Sequence, residues 1–125
     1  LRAGGTIPKQ FRMWRGKPLL RHSAEALLAQ GANPLVVAIP PGGEALAEVA
    51  LAGLTSVRFV IGGETRQASV CHALEALADV PPRLVLIHDA ARPDLPSAVT
   101  MRLLTALEEH EGSIPVLPVV DSLAA

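Results

Sequence analysis

Val57-Arg58-Phe59-Val60-Ile61-Gly62-Gly63-Glu64-Thr65-Arg66-Gln67-Ala68-Ser69-Val70 is the stretch that decides the fold. Its first five residues read as a short buried strand, and Gly62-Gly63 ends it. Beyond the glycines, Val70, Ala73, Leu74 and Leu77 recur at i, i+3, i+4 and i+7, which is one face of a helix. A strand running through glycines into an amphipathic helix is half of a βαβ unit.

The same alternation continues on both sides. Upstream, Leu19, Leu20, Ala24, Leu27 and Leu28 keep helical spacing after Pro18, with Gly31 as a stop. Leu35 to Ile39 reads as a strand closed by Pro40-Pro41-Gly42-Gly43, and Glu44 to Leu51 as a short Ala-rich helix. Downstream, Leu84-Val85-Leu86-Ile87-His88 reads as a third strand, followed by the loop Asp89-Ala90-Ala91-Arg92-Pro93. Pro96 suits the first turn of another helix with apolar Val99, Leu103 and Leu107. Ile114 to Val120 reads as a fourth strand, placed near an edge or bulge by Pro115 and Pro118. Alternating strands and helices predict an α/β fold with a mostly parallel sheet and right-handed crossovers.

Composition agrees. In 125 residues, half of them apolar, Trp14, Phe11 and Phe59 are the only aromatic side chains, so the core must be aliphatic. Eleven basic residues against 12 acidic ones leave no massed positive face for nucleic acid. The basic residues are nevertheless uneven. Arg2, Lys9, Arg12, Arg15, Lys17 and Arg21 precede the first acid, Glu25, so the front end is either an anion-binding segment or a solvated loop. Cys71 is alone, which rules out an internal disulfide and suits a reducing, cytoplasmic setting. No apolar run approaches the roughly 20 residues of a membrane span. The chain opens on Leu1 without Met and closes on Ser122-Leu123-Ala124-Ala125 with no stop signal, so both ends are expected to be cut.

In open parallel sheets, ligands bind beyond the carboxyl ends of the strands. Three polar clusters fall there: Gly62 to Arg66, His88 to Pro93, and Asp121-Ser122. Each has a plain structural reading beside the functional one. Gly62-Gly63 is a tight turn or a site of close backbone approach, and Thr65 or Ser69 a helix-start hydroxyl. Asp89 is a cap, an ion-pair partner of Arg92, or a ligand contact, and Asp121-Ser122 suits a turn equally. His22, His72 and His110 fall in predicted helices with no second histidine at ligand spacing, so zinc is not expected. His88 reads as structural, and Cys71, next to the apolar stripe, as a small packed side chain. No phosphate loop of Gly-Lys-Ser/Thr type and no Gly-x-Ser-x-Gly elbow is present.

Several segments in order resemble one family. They are Arg2-Ala3-Gly4-Gly5 with Pro8-Lys9-Gln10-Phe11, Gly16-Lys17-Pro18-Leu19-Leu20-Arg21-His22-Ser23, Gly62 to Val70, His88 to Pro93, and Pro118-Val119-Val120-Asp121-Ser122. Together they resemble 2-C-methyl-D-erythritol 4-phosphate cytidylyltransferase, alone or as a domain of the bifunctional cytidylyltransferase/cyclodiphosphate synthase. The resemblance implies a Rossmann-like three-layer sandwich of the nucleotide-diphospho-sugar transferase type. It implies transfer of CMP from CTP to methylerythritol phosphate with release of pyrophosphate, in a homodimer using Mg²⁺. Residues 1–125 would then be a partial domain, without the family's first strand and phosphate loop and without its C-terminal third. Carried over position by position, Arg2 and Lys9 match the catalytic basic pair. Gly63, Glu64, Ser69, Asp89 and Ala90 match nucleotide contacts, and Arg92, Asp121 and Ser122 match substrate contacts. No protein metal ligand is assigned. Ser122 stands where the family has Thr, keeping the hydroxyl, and Glu64 where some relatives have Asp. Two alternatives stay open: a cytidylyltransferase for another polyol phosphate such as ribitol 5-phosphate, and a non-catalytic nucleotide-binding module.

Overall fold

Phe11 is the first side chain to sink into the core, closing the single 3₁₀ turn Lys9–Phe11 of a computed structural model that describes residues 7–116. A tight hairpin follows, with Met13–Trp14 (β1) antiparallel to Lys17–Pro18 (β2). Its two-residue loop has φ of 49° at Arg15 and 81° at Gly16, the left-handed pair that a twist-matched two-residue hairpin requires. The sequence reading passed over this hairpin, because two-residue strands carry no periodicity.

Helix Leu19–Ala29 (α1) starts where expected and buries Leu20, Ser23, Ala24 and Leu27. Its end is a Schellman motif. Gly31, at φ 94°, donates to Leu28 O, and Ala32 donates back to Leu27 O at 3.0 Å. Leu35–Ile39 (β3), Glu44–Ala50 (α2) and Val57–Ile61 (β4) then form a β-α-β unit. β3 and β4 pair in parallel, Leu35 opposite Val57 through Ile39 opposite Ile61. Gly62 N–H extends the ladder to Ile39 O at 2.8 Å. Val37, Ile39, Leu20, Ala24, Ala47, Ala50, Leu51 and Phe11 form one core cluster. Small Ala residues let α1 and α2 approach the strands closely. Arg21 reaches from α1 to the carbonyls of Ala50 and Ala52 and so ties the two helices.

Helix Arg66–Glu75 (α3) starts as the sequence suggested: Thr65 accepts a hydrogen bond from Ala68 N–H at 3.0 Å, an N-cap. It lies against β3 and β4, with Val70, Ala73 and Leu77 of its stripe half-buried, and the expected packing of Leu74 is corrected. No α3 residue is buried, and Leu74 is 41 % exposed. Helical spacing identifies a face able to be buried; burial itself needs an element to cover it. Cys71 is accordingly exposed rather than packed, with Sγ donating to Glu75 Oε1. That neighbouring carboxylate pushes the thiol pKa up, opposite to what an activated nucleophile needs.

The expected third strand does not form. Along 84–88, Leu84, Leu86 and His88 are half-buried while Val85 and Ile87 are exposed, the alternation of a strand, but the segment has no ladder partner among the described residues. Residues 114–116 of the expected fourth strand are likewise not in a ladder, and 117–120 lie outside the described residues. The fold is therefore α/β with one parallel strand pair and one antiparallel hairpin among the described residues.

The chain divides into two compact units, Leu1–Asp94 and Leu95–Ala125. The second is built on Ser97–Ala106 (α4), with Pro96 at the N-cap. His110 falls in the turn after α4 rather than inside the helix, its N–H bonding Ala106 O at 3.0 Å. No described helix is long and apolar enough to cross a membrane.

Two truncations separate the covered from the uncovered face. Ile39→Ala, at a side chain only 1 % exposed, should destabilise the chain by about 2–5 kcal/mol. Leu74→Ala should cost less than about 1 kcal/mol. Equilibrium urea unfolding of the two variants reads the difference.

Candidate functional site

Two loops carry most of the expected ligand contacts, and both belong to the first unit. The first follows β4. Gly62 and Gly63 are there because nothing larger fits. A Cβ on Gly62 would meet Ser69 Oγ at 2.6 Å, and one on Gly63 would meet Ala68 Cβ at 2.4 Å. Neither glycine needs a left-handed φ. The requirement is close approach, which seats the end of β4 against the first turn of α3. Ser69 closes the arrangement by accepting from Gly63 N–H at 3.1 Å. Its hydroxyl also donates to Gly63 O at 3.5 Å and so braces the loop through both backbone groups of Gly63. Glu64 is exposed and makes no hydrogen bond or ion pair within the described residues.

The second loop spans His88 to Pro93, and its backbone is knotted. Arg92 N–H bonds Asp89 O at 3.1 Å, and His88 Nε2 donates to Arg92 O at 2.7 Å. This fits the structural role expected of His88, at the end of an extended segment instead of a strand. Ala90 packs its methyl against the core cluster. At its site the backbone is thus held from below, with any ligand contact left to the other side.

The loops meet through charge. Asp89 Oδ1 accepts a hydrogen bond from Arg66 Nη2 at 3.0 Å, and Asp89 Oδ2 forms an ion pair with Arg92 Nε at 3.0 Å. The i,i+3 pair with Arg92 was legible in the sequence. Arg66 was not singled out, although it stands in the first turn of α3 directly after the cap residue Thr65. The Arg66 guanidinium, hydrogen-bonded to Asp89, holds that carboxyl below the usual carboxylate range, with smaller help from the charges of Arg92 and His88. Two guanidiniums around one carboxylate leave a surplus of one positive charge.

Lys9 stands on the short 3₁₀ turn anchored by Phe11, its side chain exposed and its ammonium without a hydrogen bond or ion pair among the described residues. Near it, Trp14 carries the Arg15 guanidinium over its ring at 4.3 Å and meets His22 edge-on at 4.9 Å. Lys17 and Arg21 share Glu25 at 2.9 and 3.5 Å and lower its pKa, Lys17 contributing most. The basic front end is therefore largely occupied by internal partners, and Lys9 is not. Arg2, Asp121 and Ser122 lie outside the described residues.

Comparison with known proteins bears on what these loops serve. The family model for IspD, 2-C-methyl-D-erythritol 4-phosphate cytidylyltransferase, matches residues 1–125. The chain is 63 % identical over 123 residues to the bifunctional enzyme IspD/IspF of Novosphingobium aromaticivorans, covering 98 % of the chain and 32 % of that protein. It is 62 % identical over 124 residues to the protein of the same description in Erythrobacter litoralis, covering 99 % and 32 %. It is 44 % identical over 125 residues to the 2-C-methyl-D-erythritol 4-phosphate cytidylyltransferase of Cereibacter sphaeroides, covering 98 % and 55 %. The chain thus spans about a third of the length of the bifunctional relatives.

Gly63→Ala should force α3 away from β4, because the obstructing atom is the rigid Cβ of Ala68. A destabilisation of about 1–3 kcal/mol is expected by urea unfolding. Asp89→Asn tests the charge pairing through pH. Since the folded pKa of Asp89 is depressed, its stabilisation is present above the ordinary carboxyl pKa of about 4 and fades as pH falls through the lower folded value. The pairs are exposed, so the difference between wild type and Asp89→Asn should be about 0.2–1 kcal/mol at neutral pH and shrink as pH falls through the depressed folded value.

Proposed function

The chain belongs to the 2-C-methyl-D-erythritol 4-phosphate cytidylyltransferase family, and from that premise we propose that the full-length protein transfers CMP from CTP to methylerythritol phosphate. The products are 4-diphosphocytidyl-2-C-methyl-D-erythritol and pyrophosphate, on the way to isoprenoids. The observation that supports this reading is the double ion pair at Asp89, which sets the loop after β4 against the loop at 88–93 with positive charge in surplus.

In this reaction an oxygen of the acceptor phosphate attacks the α-phosphorus of CTP and pyrophosphate departs. The protein has little covalent work to do, so its contribution is alignment and charge stabilisation. Gly63, Glu64 and Ser69 would present backbone and hydroxyl groups to the cytosine edge, with Asp89 and Ala90 at the ribose. Arg92, with Asp121 and Ser122, would hold the acceptor phosphate. The Lys9 ammonium, without an ion pair within the described residues, suits a crowded anionic transition state, and Arg2 is proposed as the second cation of the pair.

Mg²⁺ fits this scheme as an ion carried by the triphosphate. No three His, Cys, Asp or Glu side chains cluster among the described residues, and both oxygens of Asp89 are engaged by guanidiniums. The phosphates would supply most of its oxygen ligands and the ion would offset their charge. We further propose the nucleotide-diphospho-sugar transferase sandwich for the whole domain, a cytoplasmic homodimer, and a cyclase domain continuing the chain, as the bifunctional relatives' descriptions suggest.

Release of pyrophosphate by the full-length protein, given CTP, Mg²⁺ and either methylerythritol phosphate or ribitol 5-phosphate, tests the reading. Methylerythritol phosphate should be preferred, and Lys9→Ala should lower kcat on the order of 10²- to 10³-fold. Preference for ribitol 5-phosphate, or no turnover of either, overturns it.

A further inference from the structure

Ser23 is polar, sits in the middle of α1, and is 2 % exposed among core Leu and Ala side chains. A helical serine normally bonds a carbonyl of its own preceding turn. Ser23 does not. Its Oγ lies 2.8 Å from Ala90 O and 3.1 Å from Arg92 O, 67 and 69 residues away in sequence. One hydroxyl proton is thus shared between two carbonyls of the loop that carries Asp89 and Arg92.

We propose that Ser23 is a positioning residue: from inside the core, it sets the conformation of the 89–92 turn and thereby the placement of Asp89 and Arg92. The path is short. The hydroxyl fixes the Ala90 and Arg92 carbonyls, and these fix the turn in which Arg92 N–H bonds Asp89 O. The turn places Arg92 Nε 3.0 Å from Asp89 Oδ2. Without the hydroxyl, Arg92 O keeps its bond from His88, while Ala90 O has no other hydrogen bond in the described residues. The Ala90 carbonyl is therefore the group of the turn whose hydrogen bond, among the described residues, comes from Ser23 alone, beside the packing of the Ala90 methyl. A buried polar group is tolerated in a core when its bonds are made, and here those bonds fall on the loop that presents the charges.

This rests on the proposed cytidylyltransferase reading for its kinetic arm only. The direct test is the titration of the Asp89 carboxyl, followed by carbon-detected NMR in full-length wild type, Ser23→Ala and Ser23→Cys, the last close in volume with a weaker donor. The groups facing Asp89 are Arg66, Arg92 and His88, and none of them is altered. The Asp89 midpoint should rise toward the ordinary carboxyl value in both variants, further in Ser23→Ala. In the pyrophosphate assay, kcat/KM for the acceptor should fall on the order of 10- to 100-fold, with KM for CTP changed least. An unchanged Asp89 titration in whichever variant remains folded overturns the proposal, even if thermal stability has dropped. If wild type turns over no acceptor, the functional reading fails, while the titration still decides the role of Ser23.

Discussion

One carboxylate held from two directions organises the candidate site. Asp89 meets Arg66 from α3 and Arg92 from its own turn, so the register between the two loops passes through a single side chain. The pairs lie at the surface, where solvent screens them and each contributes little to stability. Their value is geometric. Guanidinium and carboxylate bond in fixed, planar arrangements, so even a weak pair defines an orientation. The stability of the unit comes instead from Ile39, Leu20, Ala24, Ala47 and Ala50, which are almost wholly removed from water.

Legibility in the sequence followed this division. The β3-α2-β4 unit was readable because β3 is a continuous apolar run, β4 is one interrupted only by Arg58, and Pro and Gly close both strands. Helix α1 was readable down to its Gly31 stop. The segments that misled were those whose fate depends on something outside themselves. Leu84 to His88 has strand alternation without a ladder among the described residues, and the stripe of α3 is only half-buried against the sheet, with Leu74 exposed. Periodicity describes a surface, whereas burial and pairing describe a relation between two surfaces.

The same distinction runs through the site. Gly62-Gly63 and the Asp89–Arg92 spacing are local features and could be read directly. Why the glycines are needed could not, since their constraint is the approach of Ala68 and Ser69 from the next helix. Arg66 and Ser23 act across 23 and 67 residues, and no local pattern marks them. A serine among Leu and Ala on a helix's inner face is the one available signal for Ser23, and it says that a partner exists without saying which.

These features fit a site that works by placement. Asp89 neutralises one of two guanidiniums and leaves a net positive charge. Arg92 approaches Asp89 with Nε at 3.0 Å from Oδ2. Under the proposed function, an incoming phosphate meets a guanidinium that this ion pair has already turned. The loop then has no need to rebuild its own pairing when substrate arrives, and the guanidinium is already oriented before binding. A reaction whose protein contribution is alignment gains most from such preorganisation, because the entropy of fixing the cation is spent during folding and not at the encounter. The buried hydroxyl beneath the turn and the glycines beside it serve the same end from opposite sides: each removes a freedom from backbone that would otherwise have to be fixed by the ligand.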